Sequence, residues 1–468
     1  MENSSEQLGK QRMGKLVLHM SVPAILAMLV TALYTMTDRL FLSIMIDKIN
    51  GNTFTMSAMT VVNPFTVVAF AFLLLLSTGA TALISLYLGE GKKEKAEQML
   101  GNSLFMLVAG SLILGGSGLI FHRPLLHLLG ASENTYFPAR DYFSVICCGV
   151  VFLAVSIGMS SNIRSEGNAK MALLTTVLGA VLNVALDPVF IGPMRLGVKG
   201  AAFATILSQG IAAVVVILYY ISGKSVLRLR WKYLIPDFKL ISKSVWIGMP
   251  QFLLQIVASF IGIAYNNLLQ TYGSAYGQSI NVSSMGDDCI AAYGMATMVT
   301  QLFLMAVSGI NNGIQPIFGY NYGAKQFKRV REAFYWAWIF ATVILTLGFI
   351  ICLFFSHALI GLFGGNRAVA DIAAFALRMQ VLSWPLTAIA IISPCYFQAI
   401  GKSVTATILA LCRQLLILLP ILLLFPLWFG LNGIWYSAPI ADVIAAGISV
   451  ILIHRELRRL GKKAVGEI

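Results

Sequence analysis

The sequence predicts an all-α polytopic membrane protein, with twelve transmembrane helices in two parallel six-helix lobes around a central cavity. Three observations support this fold class: a low content of charged residues, twelve long apolar stretches and an internal repeat. Hydrophobic residues make up 58% of the 468-residue chain, whereas Asp, Glu, Lys and Arg together make up only 11%. Because soluble domains contain about 25% charged residues, this composition excludes a disordered chain and a secreted disulfide scaffold, and it disfavours a soluble enzyme.

Twelve apolar stretches between polar or charged clusters are long enough to cross a bilayer as helices. A helix needs roughly 20 apolar residues to cross the hydrocarbon core, since each residue rises about 1.5 Å. Strands are excluded because the stretches are too long and lack the alternation of a membrane barrel. The predicted spans lie near 16–46, 54–87, 98–121, 140–161, 170–192, 200–222, 243–272, 288–319, 332–356, 371–398, 404–428 and 432–454.

The basic residues predict how the chain is threaded through the membrane. The net charge of +14 would by itself suggest a nucleic-acid partner. If the amino terminus is cytoplasmic, however, 24 of the 33 Lys and Arg residues fall in cytoplasmic segments and seven in external segments. This asymmetry follows the positive-inside rule, so the excess charge reflects topology and not nucleic-acid binding. We expect both termini to be cytoplasmic and the membrane to be the plasma (inner) membrane of a prokaryote.

Four sequence matches indicate that the first six spans are duplicated in the last six. The matched pairs, at offsets between 227 and 234 residues, are Gly167 with Gly401, 196–201 with 429–434, 88–93 with 320–325, and Pro23 with Pro250. Six spans return the chain to its starting side, so the two copies run parallel and are related by an axis along the membrane normal. The predicted division is a first lobe at 1–223, a cytoplasmic linker at 224–243 and a second lobe at 244–468.

Carboxylates within the spans are candidate functional residues, because a charge at mid-membrane costs about 2.5–3.5 kcal/mol on insertion scales. Asp38, Asp187 and Asp442 are such residues. Counted along the helices, Asp38 lies ~13 Å, Asp187 ~8 Å and Thr205 ~9 Å below the external ends of spans one, five and six. The similar depths predict a shared site in the outer half of the first lobe. Pairing of Asp38 with its neighbour Arg39 is the structural alternative.

The residues around Asp187 indicate which chemistry this site would have. Asn183 projects from the same helix face as Asp187, because four residues separate them. Pro188 has no N–H to donate to the carbonyl of Val184, which leaves that oxygen free, and Pro188 and Pro23 are both predicted kink positions. Carboxylates, an amide, a hydroxyl and a carbonyl are hard oxygen ligands. The pocket would therefore hold either a proton shared between carboxylates or a sodium ion.

With these residues the chain resembles the multidrug and toxic compound extrusion (MATE) family over essentially its whole length. The matching features are Pro23 and Asp38, the motif Asn183-x-x-x-Asp187-Pro188, Gly197-x-x-Gly200-Ala201-Ala202 with Thr205, and, in the second lobe, Pro250, Gly309, Pro316 and Gln398–Gly401. The resemblance implies that the cation site consists of Asp38, Asn183, Asp187 and Thr205. It also implies that export of cationic amphiphilic drugs is coupled to inward movement of protons or sodium.

The chain differs from one branch of that family. Members with a second-lobe cation site carry acids in spans seven and ten, where this chain has residues near Ala258 and Ile389. The pattern is closer to the branch typified by DNA-damage-inducible protein F, in which the coupling carboxylates lie in the first lobe. A cation site in the second lobe is therefore not expected.

Other polar residues in the spans are candidates for the lining of a substrate cavity: Tyr34, Gln255, Tyr265, Asn266 and Asp442. For the residues of span seven, hydrogen bonds between helices are an equally good explanation. Asp442 either meets a cationic substrate or pairs with Arg413 in span eleven, and the sequence leaves both possibilities open.

Paired six-span lobes around a cavity are typical of a transporter that works by alternating access. We expect a monomeric secondary antiporter that expels organic cations, with a proton or sodium as the coupling ion and with no cofactor or other metal. The nearest alternative is a lipid-linked saccharide or lipid flippase of the same superfamily, which would need several basic residues in its cavity for a diphosphate. The alternative from another class is a membrane-embedded enzyme, but no nucleophile, metal cluster or paired acidic motif supports it.

Overall fold

A computed structural model describes residues 4–42, 54–129, 131, 133–194, 196–279, 284–362 and 367–465. Within these ranges every regular element is helical, as the sequence predicts. The α-helices, numbered here in chain order, are α1 (Ser4–Lys10), α2 (Met13–Leu42), α3 (Phe54–Gly89), α4 (Lys93–Ile120), α5 (His122–Leu128), α6 (Glu133–Ser165), α7 (Ala169–Ile191), α8 (Val198–Ile221), α9 (Phe238–Ser279), α10 (Met285–Gly323), α11 (Phe327–Phe354), α12 (Ser356–Gly361), α13 (Arg367–Val381), α14 (Trp384–Ala399), α15 (Ser403–Leu411), α16 (Leu419–Phe429) and α17 (Leu431–Val465). A 3-10 turn, Trp231–Leu234, lies between α8 and α9, and a π-helix, Cys412–Leu418, joins α15 to α16.

The number of apolar spans agrees with the prediction. Eleven described stretches are long and apolar enough to cross a bilayer, and α13 with α14 forms a twelfth that is bent by 56° at its break. Several helices extend beyond the predicted spans: α6 begins at Glu133, α9 begins at Phe238 inside the predicted linker and ends at Ser279, and α17 continues to Val465. The predicted end of the first span, near residue 46, lies outside the described residues.

Large apolar side chains are exposed on the outer surface of the helix bundle. Ile113 on α4 is 72% exposed and Leu416 in the π-helix is 62% exposed, and many similar residues accompany them. In water such a surface would be unfavourable, whereas in a bilayer it contacts lipid chains while the helices satisfy their own backbone hydrogen bonds. The distribution of apolar surface therefore supports the membrane assignment independently of span counting.

Both described chain ends lie at one face of the bundle, called here the terminal face. Arg329, near the start of α11, donates hydrogen bonds to the carbonyl oxygens of Leu8 at 3.2 Å and Gln11 at 2.8 Å. Gly167 and Gly401 occupy turns on this side with φ of +89° and +79°, a conformation that side chains disfavour. These two glycines are a matched pair of the sequence repeat, so the two halves turn in the same way at corresponding points.

The two halves of the chain, residues 1–223 and 244–468, pack through crossings of α2 with α10 and of α3 with α9. A Cβ atom at Gly79 would lie 1.8 Å from the carbonyl oxygen of Ser244, and one at Gly248 would lie 2.0 Å from that of Leu75. Glycine is therefore required at both positions, because a side chain would push the helices apart. Both glycines lie ten residues, or ~15 Å, from the terminal-face ends of their helices. The close crossing of α3 and α9 is thus nearer that face.

The segment 222–237 between the halves is bound to the first half through the buried carboxylate of Glu166. One oxygen of this carboxylate accepts hydrogen bonds from the hydroxyl of Ser225 at 2.5 Å and from the backbone N–H of Val226 at 2.9 Å and Leu227 at 3.4 Å. Burial raises the pKa of Glu166 to about 7, although these hydrogen bonds oppose the shift. The segment is therefore held by a carboxyl group that titrates near neutral pH.

Candidate functional site

Three of the four predicted cation-site residues form one cluster in the first half, which is buried at Asn183 and Asp187 and partly buried at Thr205. Asn183 and Asp187 lie one turn apart on α7 and are both buried, and Thr205 faces them from α8. The side-chain amide of Asn183 lies 3.4 Å from Asp187 Oδ1 and 3.3 Å from Thr205 Oγ1, and it donates to both. The hydroxyl of Thr205 donates in turn to the carbonyl of Ala201 at 3.0 Å. The spacing along α7 and the depth of α8 thus bring these residues together as the sequence analysis expects.

The turn between α7 and α8 explains why their side chains meet. Gly197 adopts φ of +57° at the start of α8. A Cβ at Gly200 would lie 2.8 Å from the backbone of Phe190, so the two helices touch through their main chains at this end. Further along, a Cβ at Gly179 would lie 3.4 Å from the amide nitrogen of Gln209. The helices therefore stay close over the whole cluster.

The fourth predicted residue, Asp38, lies on α2, which packs against α7. Its side chain and that of Arg39 are outside the described residues, so the predicted contribution of Asp38 stays a prediction. Pro23 and Pro188 both lie inside helices that continue past them, and the predicted kinks at these positions also stay predictions.

The cluster offers oxygen ligands of the kind that a proton or a hard cation prefers. The side-chain acceptor of Asn183, Oδ1, is buried and has no hydrogen-bond partner among the described residues. The Asp187 carboxylate and the Thr205 hydroxyl lie beside it. Among the described side chains, no group of three His, Cys, Asp or Glu residues could hold a metal ion. The arrangement suits a proton or a sodium ion better than a transition metal, which prefers nitrogen or sulfur ligands.

The second half contains another buried polar cluster, centred on Asp442 of α17. Its Oδ1 accepts a hydrogen bond from Arg413 Nε at 2.6 Å, which is also an ion pair. Its Oδ2 accepts from the hydroxyls of Ser383 at 2.8 Å and Thr387 at 3.3 Å. The sequence leaves open whether Asp442 meets a cationic substrate or pairs with Arg413. The structure contains the pair with Arg413.

Ser383 and Thr387 are not singled out by the sequence analysis, although a local signal for Ser383 exists. Ser383-Trp384-Pro385 is a helix-start pattern, with Pro in the first turn, in the middle of predicted span ten. The chain does break there, between α13 and α14. Ser383 occupies the N-cap position without capping its own helix, because its hydroxyl binds Asp442.

The remaining cavity candidates occupy different environments. Tyr265 is buried and its ring stacks on that of Tyr293, with the ring centroids 4.7 Å apart. Asn266, the next residue on α9, is exposed, whereas Tyr34 and Gln255 are partly buried. Only Asn266 thus presents a largely accessible polar side chain.

Comparisons with known proteins decide the family. A model of the MatE family matches residues 23–189 and 262–424. The chain belongs to the MATE family. The structure of the MATE multidrug transporter DinF-BH in complex with rhodamine 6G is 33% identical, with a TM-score of 0.85, and covers 97% of this chain and 98% of that chain. Multidrug export protein MepA of Staphylococcus aureus (strain bovine RF122 / ET3-1) is 25% identical over 446 residues, which are 94% of this chain and 93% of MepA.

A MATE family transporter in an outward-facing conformation has the same fold, with a TM-score of 0.89 at 22% identity over 98% of this chain and 99% of that chain. The predicted family and the twelve-helix fold are confirmed. The protein is a MATE transporter and not an enzyme, and its similarity to DinF-BH agrees with the predicted branch. The two segments matched by the family model fall one in each half of the chain.

Proposed function

We propose that this MATE transporter exports organic, mostly cationic and amphiphilic compounds in exchange for protons or sodium ions that move inward. The observation that carries the proposal is the buried cluster of Asn183, Asp187 and Thr205 on two helices of an apolar bundle. The cargo class is supported by relatives: MepA is named a multidrug export protein, and DinF-BH was solved with rhodamine 6G.

Asp187 is the group that takes up the coupling ion. A buried carboxylate gains free energy when its charge is neutralised, because the surrounding apolar groups solvate an anion poorly. The oxygens of Asn183 and Thr205 would complete the coordination of sodium or orient a carboxylic proton. One charge that crosses the membrane releases about 2.3 kcal/mol per 100 mV, so at ~150 mV one ion supports roughly a 300-fold gradient of neutral cargo.

Neutralisation of Asp187 also provides the link to cargo release. The cluster joins α7 to α8 through the amide of Asn183, and α2 packs against α7. A bound ion would change the contacts among these three helices, with Asp38 taking part from α2. The first lobe, 1–223, would then repack and release the cargo from the cavity that it shares with the second lobe, 244–468.

The orientation and the membrane belong to the same proposal. The terminal face is cytoplasmic, because the segments on that side carry most of the basic residues, and the membrane is the inner membrane of a prokaryote. One chain contains both lobes, so the working unit is a monomer. The flippase alternative is less well supported, since Arg413 already pairs with Asp442 and a diphosphate would need several uncompensated basic groups.

The test is dye transport by the purified chain in proteoliposomes, with a pH gradient and a sodium gradient imposed separately. We expect one of the two gradients to drive rhodamine 6G transport in the wild type, and Asp187→Asn to remove the response. The matched control is Asp141→Asn, because Asp141 forms an exposed ion pair with Lys199 at 3.2 Å. Transport by Asp187→Asn at the wild-type rate, or no response to either gradient, would contradict the proposal.

A further inference from the structure

Two helix irregularities meet at Asp442 and Arg413. Helices α13 and α14 break at Leu382 and Ser383 with a bend of 56°, and Ser383 binds Asp442. Arg413 lies in the π-helix between α15 and α16, and Asp442 follows Pro439 inside α17. Interrupted helices near mid-membrane are where transporters place ligands, and π-helical turns are frequent at functional sites. None of these residues belongs to the proposed ion-coupling cluster of Asn183, Asp187 and Thr205 in the first half.

Arg413 is at mid-membrane depth and is only partly covered. It lies ten residues after the start of α15, or ~15 Å from the terminal face, and Asp442 lies eleven residues, or ~17 Å, from the opposite end of α17. The Arg413 side chain is nevertheless 31% exposed. Ionisable side chains at this depth almost always face the bundle interior or a water-filled cavity, because a guanidinium exposed to lipid is costly.

The hydrogen bonds of this cluster leave one end of the guanidinium available. Arg413 uses Nε for Asp442, and the carboxylate of Asp442 is fully engaged by Arg413, Ser383 and Thr387. Within the described part of the chain, no hydrogen bond involves the two Nη groups of Arg413. These two groups form a planar pair of donors that matches the two oxygens of a carboxylate. Asp442 therefore fixes the guanidinium while the opposite end stays open.

The surroundings also favour an anion there. The ion pair of Arg413 with Asp442 is neutral overall, and the N-terminal end of α14, with its positive partial charge, begins directly beside it at Trp384. Half-helix N-termini at mid-membrane point at anionic substrate groups in other transporters. A free carboxylate would meet two charge-assisted hydrogen bonds and a favourable dipole.

We propose that Arg413 is a specificity-determining residue whose Nη groups bind the carboxylate of those cargo molecules that carry one beside their cation. The inference rests on the proposed export function, because it concerns the cargo of that transport. The cation of such a cargo lies elsewhere in the cavity, and its acid group lies against the Nη groups of Arg413. Asp442 is a positioning residue that acts through Arg413.

The test uses two dyes that differ in one group, the ethyl ester rhodamine 6G and its free acid. Binding of each dye to the purified chain is measured by fluorescence polarisation, and transport is measured in proteoliposomes. The main variant is the double substitution Arg413→Gln with Asp442→Asn, which removes both charges together and retains a donor at the position of Arg413 Nε opposite an acceptor at residue 442. We expect the double variant to bind the ester within about twofold of the wild type and the acid about tenfold or more weakly, as loss of a charge-assisted hydrogen bond predicts.

Arg413→Lys is the second variant and keeps the positive charge. Lysine presents a point charge and not a planar pair of donors, so acid binding should fall by a smaller factor and ester binding should not change. Equal weakening of both dyes, or unchanged binding of the acid in both variants, would overturn the proposal and assign the pair a structural role. Failure of the wild type to transport the ester would instead overturn the proposed export function, while the binding comparison would still decide the role of Arg413.

Discussion

The two halves of the chain each bury a carboxylate among helices, but they hold it with different partners. In the first half Asp187 meets the amide of Asn183, which in turn meets a hydroxyl. In the second half Asp442 meets a guanidinium and two hydroxyls. The Asp442 carboxylate is paired with a fixed cation, whereas the described hydrogen bond to Asp187 comes from a neutral amide. We therefore propose ion exchange for the first half, while the second half has a charge pair.

The internal repeat allows the two halves to be compared position by position. At the offset of 233 residues, Gln209 on α8 corresponds to Asp442 on α17, and Gly179 and Ala180 on α7 correspond to Cys412 and Arg413. In the first half Gln209 lies beside Gly179, across the same helix pair. The second half has an ion pair between the corresponding two helices. The two halves thus place a polar side chain at corresponding positions of α8 and α17, but only the second pairs it with a charge.

The largest expected effect is a difference in ion-driven dye transport between variants of the two carboxylates, Asp187 and Asp442. Asp187→Asn should abolish the steady-state gradient of rhodamine 6G, a loss of about 100-fold when the imposed proton or sodium gradient is about 100-fold, because one-for-one exchange with this cationic dye moves no net charge and follows the ion gradient. The double variant Arg413→Gln with Asp442→Asn should leave the gradient of this ester within about twofold, since it removes no net charge from the cavity. The measurement is dye accumulation in proteoliposomes at matched protein content. Loss of ion-driven transport in the double variant would contradict this prediction and would indicate that the second half takes part in ion coupling.

The second prediction concerns stability. Asp442→Asn alone should lower the free energy of unfolding by about 3–5 kcal/mol, because it leaves the Arg413 charge at mid-membrane without its partner. The double variant should recover most of this loss. Thermal unfolding in detergent measures both, with Asp141→Asn as the exposed control, which should change stability by about 1 kcal/mol or less. A single variant as stable as the double one would show that the pair contributes little.

A pair of matched hydroxyl deletions sharpens the comparison further. Thr205→Val removes the hydroxyl that accepts from Asn183, and ion-driven transport should fall by roughly 3–10-fold, the range expected for one hydrogen bond. Thr387→Val removes a donor to Asp442 and should cost about 1 kcal/mol of stability while ion coupling is unchanged. Initial transport rates and unfolding temperatures measure the two effects. Loss of ion coupling in Thr387→Val, together with unchanged coupling in Thr205→Val, would contradict the roles proposed for the two clusters.

The smallest expected effect is a pH dependence at the segment between the halves. The pKa of Glu166 is raised by burial to about 7, above its usual value, so the contribution of this carboxyl to stability is complete below about pH 4.5 and is lost as the pH rises through 7. Glu166→Gln stays neutral and should unfold about 1–3 °C higher than the wild type at pH 8, with no difference near pH 4.

The control for this prediction is Glu90→Gln, since Glu90 forms a surface ion pair with Lys92. Glu90→Gln should not be more stable than the wild type at pH 8, because it removes the partner of Lys92. A difference between Glu166→Gln and the wild type that is equal at both pH values would mean that Glu166 does not titrate over this range.

Most of the fold was predictable because membrane spans are a property of local composition. A run such as 98–121 must be helical in a bilayer whatever its neighbours are, since its backbone can satisfy its hydrogen bonds in no other way. The cluster of Asn183, Asp187 and Thr205 was predictable for a related reason. Asn183 and Asp187 share a helix face by spacing alone, and the tight turn at Gly197 and Gly200 returns the chain so that Thr205 comes to the same depth.

The second-half cluster was not predictable in the same way. Ser383, Arg413 and Asp442 come from three helices that are far apart in the chain, and no spacing rule connects them. The break in span ten and the π-helix in span eleven change which residues face inward, so a regular helical wheel misplaces them. The attachment of segment 222–237 to Glu166 is also a long-range contact that composition does not reveal.

The sequence by itself determined the membrane class, the twelve spans, the duplication and the residues that share one face of α7. These features depend on composition and on spacing within single helices, both of which are local. Only the tertiary structure decided that Asp442 pairs with Arg413, that Ser383 binds this carboxylate instead of capping its helix, and that Glu166 holds the segment between the halves. Which charges neutralise each other depends on helix packing, because a buried charge is stabilised by whichever partner the folded bundle brings within hydrogen-bond distance.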